Sequence, residues 1–422
     1  MTDSKLFFDE NETRSAQDRN KDLLIRLRDQ LTHAKANTPY YREHLKDMDV
    51  ESIGDLSQLE KIAVTRKSEL KTLQKNNFPF GGMTAVPTGE LQHVFLSPGP
   101  IYDPEPGTPN YWRLARAMWA AGVRPGEIVY NTFSYHFTPA GFMVDSAAKT
   151  IGCAVFPAGI GQTEMQAQTI SELKPSVYAG TPSFLKIILE KADELNLDVS
   201  SINKALVSGE ALLPATRKFF SDRKIETRQT YATADIGLIA FESNPDQGLI
   251  IDEDVLVEIV RPGTDETLPD GQVGEVVVTT FSKDYPLIRF GTGDLSMIIE
   301  GQSACGRTNR RLKGWMGRAD QTAKVKGMFV HPEQIEKIVK RHKEVLKARL
   351  VIEHDESSND LMTLHCESSS SDEVLQKQII ESIREVTKLK GLVKIVSSGS
   401  LANDGKVIDD LRKFDSYSIF EM

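Results

Sequence analysis

The sequence predicts a large α/β domain followed by a smaller α+β domain, on three observations. Between Pro109 and Ile202, short branched and aromatic runs alternate with stretches of helical period, which means a parallel sheet with helices flanking it. After Gly248 the texture changes to short strands at 249–251, 255–260 and 274–279, joined by Gly, Pro and Asp turns. That pattern predicts a small antiparallel, β-barrel-like subdomain. Beyond Asp320, helix and strand patterns follow in α+β fashion. A chain of 422 residues exceeds one ordinary core, so the expected division is 1–319 and 320–422.

Taken in order, residues 11–48 read mostly as helix. Leu23, Leu24, Leu27 and Leu31 recur at helical spacing, and Pro39 acts as a breaker. A second helix is expected over 65–73 with Thr65 as its cap. Residues 76–110 are rich in Gly and Pro and read as a long loop, a kind of segment that often carries function. Helices at 111–121, 140–150, 162–173 and 182–195 separate buried-strand runs at 126–132, 153–156, 176–180 and 204–208. Ligands of such sheets bind at the carboxyl ends of the strands. The last stretch predicts helices at 332–342 and 372–389, strands at 348–353, 360–366 and 393–396, and a polar tail carrying Gly405 and Lys406.

Composition narrows the function. The chain is 40% hydrophobic and 26% charged, as soluble globular proteins are. A net charge of −9 opposes a nucleic-acid partner, and the basic run at 307–313 is too short to reverse that. No apolar run reaches the roughly 18 residues of a membrane helix, and residues 1–5 lack a signal-peptide pattern. No membrane partner and a cytoplasmic location are expected. Cys153, Cys305 and Cys366 lie far apart without metal spacing, so free thiols in a reducing compartment are expected.

The chemistry is carried by a set of small polar clusters. They are Arg289-Phe290-Gly291-Thr292-Gly293-Asp294, Cys305-Gly306-Arg307, Gly317-Arg318-Ala319-Asp320, and Lys326-Gly327 with Pro332-Glu333-Gln334-Ile335-Glu336. Upstream stand Ser208-Gly209-Glu210-Ala211 and Tyr231-Ala232-Thr233-Ala234-Asp235. In this order and at these separations they resemble the adenylate-forming (ANL) superfamily, and within it the phenylacetate–CoA ligase-like family, over nearly the whole chain. The resemblance implies an AMP-binding domain over 1–319 and a mobile lid domain over 320–422. It implies an acid–thiol ligase in which a carboxylate attacks the α-phosphate of ATP to give acyl-AMP, and a thiol then displaces AMP. The ligands implied are ATP/AMP, Mg²⁺, a carboxylic acid, aromatic by preference, and coenzyme A or another thiol carrier; a homodimer is compatible with it.

Residue roles follow from the same resemblance. Asp294 would accept hydrogen bonds from the ribose hydroxyls, which suits a carboxylate facing a diol. Arg318 would reach the ribose or phosphate, and Tyr231 would stack on the adenine beside Ala232 and Thr233. Ser208, Gly209 and Glu210 form the adenine-binding turn. Asp235 stands where the family has a Mg²⁺-binding Glu. Lys406 matches the catalytic lysine, which neutralises charge at the α-phosphate, and Asp320 matches the hinge. Tyr135, His136 and Phe137 fall where the family lines its acyl pocket, although core packing explains an aromatic cluster equally well.

One segment departs from the family. The phosphate loop of small and hydroxyl residues followed by lysine is replaced by 95–106, with four prolines, bulky Ile101 and Tyr102, and acidic Asp103 and Glu105. Prolines lack backbone donors, carboxylates repel phosphate, and no basic residue follows before Arg113. A weak grip on triphosphate is expected. Three readings stay open: a working ligase with an altered phosphate grip, a homologue that binds AMP, acyl-AMP or acyl-CoA without activating acids, and a non-catalytic binding protein.

Overall fold

The structure is a computed structural model that describes residues 6–316, 318–319, 323–330, 332–355, 359–368, 373–401 and 407–412. The chain forms two compact units, Met1–Trp315 and Met316–Met422, so the break falls just ahead of the expected 319/320.

In the first unit the helix Ala16–Asn37 starts at Ser15, whose side chain accepts from the Asp18 amide. Pro39 does not simply break this helix. It sits in the first turn of the next, Pro39–His44, where a missing N–H costs nothing. Leu27, Leu31, Ala34 and Tyr41 bury against Leu256 and Ile288, far along the chain.

The main sheet has nine strands. From one edge the order is Ile298–Ile299, Arg311–Leu312, Leu249–Ile251, Gly237–Phe241, Glu226–Thr233, Lys204–Val207, Val177–Gly180, Ile128–Asn131 and Ala154–Pro157. The last five run parallel, as the strand–helix alternation predicts. The others are antiparallel. Leu249–Ile251 thus extends the main sheet instead of joining the small one. That second sheet orders Thr65–Arg66, Phe290–Ser296, Gly274–Thr280 and Val255–Val260.

Three local expectations fail for identifiable reasons. Thr65 caps no helix: Thr65–Arg66 is a short strand parallel to Phe290 and Gly291, its amide donating to the Arg289 carbonyl, and the helix begins at Leu70. The long loop contains a hairpin, His93–Ser97 with Ile101–Glu105, whose turn absorbs Pro98 and Pro100 while Pro104 faces Val94. The helix expected from 111 starts at Leu114, because Asn110 and Arg113 take left-handed backbone angles.

The second unit is a four-stranded sheet, Leu392–Val396, Asp360–Ser368, Val345–His354 and Ile408–Asp410, with helices Pro332–Arg341 and Glu373–Thr387. The polar tail therefore contributes an edge strand. Among the described residues, no helix is long and apolar enough to cross a membrane.

Candidate active site

The site is built outward from Arg289, a fully buried guanidinium. It donates to Glu258 Oε2 at 3.1 Å, to the carbonyls of Ile62 at 2.6 Å and Asp265 at 3.0 Å, and to Thr267 Oγ1 at 3.3 Å. This clamp fixes the start of the strand Phe290–Ser296. Along that strand Thr292 Oγ1 donates to the Val276 carbonyl at 2.9 Å and accepts from the Asp294 amide at 3.1 Å. The Asp294 side chain is consequently held in register.

Among the described residues, two donors orient the Asp294 carboxylate. The Tyr231 hydroxyl donates to Oδ2 at 2.9 Å, and the Trp315 indole N–H donates to Oδ1 at 3.0 Å. Tyr231 packs against the core containing Tyr285 and Phe290. Its hydroxyl therefore serves the Asp294 carboxylate, a contact that the stacking expectation did not include. Trp315 was missed by sequence reasoning; its only signal is its place just before Gly317-Arg318.

Ser208–Glu210 and Tyr231–Asp235 come together because their strands, Lys204–Val207 and Glu226–Thr233, are parallel neighbours. Ser208 Oγ donates to the Thr230 carbonyl at 3.0 Å, tying the two ends. Gly209 has φ +85, open to glycine at no steric cost. Glu210 accepts from the Ser183 amide at 2.7 Å, at the start of the helix Pro182–Glu194, where a carboxylate is favoured. Ala232 packs against the core around Trp112, and Thr233 Oγ1 accepts from the Ile236 amide at 3.2 Å, closing the turn that carries Asp235.

Asp235 is buried. One oxygen takes the Lys67 ammonium, and Oδ1 has no hydrogen-bond partner. Lys67 follows the short strand Thr65–Arg66, so the pairing beside Phe290–Ser296 delivers it. Next to this pair lies Asp103 of the hairpin, 1% exposed, with neither carboxylate oxygen hydrogen-bonded. Burial, and then the charge of Asp235, push its carboxyl well above the ordinary range, with Lys67 opposing. The Tyr285 hydroxyl, also buried and unpartnered, is raised by burial and then by the charges of Asp103 and Asp235. Glu105 turns inward and meets His93 Nδ1 at 2.6 Å; burial raises its carboxyl and His93 opposes. The two acids expected to repel phosphate are thus buried, Asp103 is biased to its neutral form, and a cation arrives from outside the loop.

The aromatic segment divides. Tyr135 accepts from Asn131 Nδ2 at 2.7 Å and meets Phe142 edge-on at 5.3 Å. The His136 amide donates to Ser134 Oγ at 3.0 Å. Phe137 is 77% exposed at φ +63, with its carbonyl accepting from the Leu96 amide of the hairpin at 2.8 Å. Only Tyr135 joins the aromatic cluster with His93, Phe95 and Phe142. Arg318 belongs to the second unit, its guanidinium 5.8 Å from the Phe329 ring centre. Asp320 and Lys406 lie outside the described residues.

The family description "AMP-binding enzyme" matches residues 109–282. The phenylacetate–coenzyme A ligase of Escherichia coli strain K12 is 31% identical over 359 residues, covering 80% of this chain and 79% of that protein. The chain belongs to the phenylacetate–CoA ligase family. The phenylacetate–coenzyme A ligase of Thermus thermophilus is 29% identical over 390 residues, 86% of each chain. Among solved structures, a 2-hydroxyisobutyryl-CoA ligase in complex with 2-HIB-AMP and CoA aligns with a TM-score of 0.83 at 24% identity, covering 98% of this chain and 94% of that one. That likeness bears on the fold. Membership of this family bears out the expected class of enzyme, an AMP-forming acid–CoA ligase.

Proposed function

We propose that this chain activates an aromatic carboxylic acid as its acyl-adenylate and passes the acyl group to coenzyme A. The observation carrying this reading is the oriented Asp294 carboxylate beside the Ser208–Glu210 and Tyr231–Asp235 segments. Its two oxygens accept from Tyr231 and Trp315, and an oriented carboxylate suits recognition of a vicinal diol. The aromatic preference rests on the names of the relatives and on Tyr135 within an aromatic cluster.

The residues would divide the work as follows. Asp294 holds the ribose, and Ser208, Gly209 and Ala232 present backbone to the base. Arg318 and Lys406 offset charge as the acid's oxygen attacks the α-phosphorus and pyrophosphate leaves. The thiol of coenzyme A then attacks the acyl carbon and AMP departs, with Asp320 as the pivot between the two steps. Asp235, with Oδ1 buried and unpaired, fits a hard divalent cation, and Mg²⁺ held there would neutralise phosphate charge. We place the reaction in the cytoplasm, consistent with three free thiols.

The test is acid-dependent ATP–pyrophosphate exchange, followed by CoA-dependent AMP release, across a panel of aryl and aliphatic acids. Exchange with an aryl acid is the expected result. No exchange with any acid, in the presence of Mg²⁺, overturns the proposal.

A further inference from the structure

We infer that Asp103 is a second carboxylate ligand for a hard divalent cation shared with Asp235, and that this pair takes over charge neutralisation from the altered phosphate loop. The inference rests on the proposed Mg²⁺-binding role of Asp235. It starts from an excess of acceptors. Asp103 Oδ1 and Oδ2 and Asp235 Oδ1 are buried without a hydrogen-bond partner, and so is the Tyr285 hydroxyl. Asp103, Asp235 and Tyr285 are each 3% exposed or less. The groups arrive from separate segments. Asp103 stands on the inward face of the hairpin strand Ile101–Glu105, opposite Phe95. Asp235 sits in the turn after the main-sheet strand Glu226–Thr233, and Tyr285 in the connection between Gly274–Thr280 and Phe290–Ser296. They are neighbours: Asp103 lies against Asp235, and the Tyr285 hydroxyl feels the charge of both.

Buried carboxylates are hydrogen-bonded, paired with a cation or bound to metal. Lys67 meets one oxygen of Asp235. Hydrogen bonding within the cluster cannot meet the rest, because the Tyr285 hydroxyl has one hydrogen for three carboxylate oxygens. The hairpin adds little, since Pro98, Pro100 and Pro104 have no N–H. A metal cation differs from any single donor in drawing on several oxygens at once. With both carboxylates ionised, Lys67 balances one charge and leaves the other. Mg²⁺ is commonly held by one or two carboxylates together with water and phosphate oxygens, which is the donor set that Asp103 and Asp235 supply. The same exchange accounts for the departure at 95–106. Amide donors that would wrap a phosphate are scarce there, and a cation held by the hairpin's own acid offers the phosphate positive charge instead.

The experiment titrates Mn²⁺, a paramagnetic stand-in for Mg²⁺, into the full-length, nucleotide-free protein and follows the free ion by electron paramagnetic resonance. D103N, D235N and K67M are compared with the native protein. Native protein should bind Mn²⁺, and excess Mg²⁺ should displace it. D103N keeps the side-chain shape and removes the charge. It should weaken Mn²⁺ by at least about tenfold, since even partners outside the ligand shell are worth roughly 10- to 100-fold. D235N should weaken it as much. K67M removes a competing cation and should tighten binding, the opposite sign from a general loosening of the site. Mn²⁺ should also raise the melting temperature of the native protein and leave that of D103N unchanged. Native Mn²⁺ affinity in D103N overturns the inference and means that a proton or a water meets Asp103; if D235N is then weak, the Asp235 reading stands. Binding weakened in K67M as much as in D103N overturns it as well. No Mn²⁺ binding by the native protein removes the inference, and acid-dependent exchange in the presence of Mg²⁺ decides separately on the proposed function.

Discussion

Replacing Arg289 by methionine tests the clamp on which the site is built. The substitution keeps an unbranched chain and removes four donor contacts, to Glu258, Ile62, Asp265 and Thr267. The larger effect is on Glu258, which stays buried with the Thr267 hydroxyl at 2.9 Å as its remaining donor. Stripping one partner from a buried ion pair costs about 3–5 kcal/mol. With a urea slope of about 2–3 kcal/mol per M, the unfolding midpoint should fall by about 1–2 M. The deficit should also depend on pH. Burial already holds the Glu258 carboxyl above its usual range, and Arg289 is the main opposing influence. Removing Arg289 lifts it further. An acid whose folded pKa exceeds its unfolded value loses stability as pH rises through that window, so Arg289→Met should be hurt more at pH 8 than at pH 5. Adding Glu258→Gln should recover about 2 kcal/mol of the loss, because no charge is then stranded. Urea titrations followed by circular dichroism at both pH values decide the matter. A midpoint shift below about 0.3 M, the size of an ordinary surface change, or a further loss from Glu258→Gln, refutes the reasoning.

The buried Asp103 gives a second test. Its raised carboxyl means that stability is lost as pH rises above the ordinary carboxylate range. Asp103→Asn should therefore melt like the native protein at pH 5 and be more stable by about 1–3 kcal/mol at pH 8; parallel melting curves across that range count against it. The thiols should separate by reactivity. At Cys305 burial raises the thiol, but hydrogen bonds with Ser243, Ser303 and Arg307 outweigh it and hold it below its ordinary value, whereas burial pushes Cys366 up to about 12 and raises Cys153. Iodoacetamide should mark Cys305 first in peptide mass spectrometry, and earlier labelling of Cys153 or Cys366 would contradict this.

The parallel sheet and the Asp294 segment were legible because their signals are local. Strand–helix alternation needs only a short window, and a Gly-Thr-Gly-Asp cluster after a buried run declares itself. The failures are long-range. Lys67 reaches Asp235 through a two-residue strand whose partner is near residue 290, and nothing around Lys67 reports that pairing. The hairpin at 93–105 was hidden by its prolines, which normally argue against strands; here two sit in the turn, and Pro104 pairs in a sheet of only two strands. Phosphate repulsion by Asp103 and Glu105 was a reasonable inference from charge, and burial changed its premise. Beyond its place just before Gly317-Arg318, Trp315 has no local signature, since its partner is set by the path of the chain after the strand Arg311–Leu312.

The pairing of Thr65–Arg66 with Phe290 and Gly291 also bears on how the protein is made. On a ribosome adding about 5–20 residues per second, the first helix emerges at least ten seconds before the strand that must receive its neighbour. Throughout that interval Leu27, Leu31 and Tyr41 lack Leu256 and Ile288, the residues that will cover them. Nascent chains of this protein therefore pass through a window in which an apolar helix face is open to chaperones, and the window closes only when the Asp294 strand has been synthesised. Completing the strand that carries Asp294 and covering the N-terminal helix become one event in time.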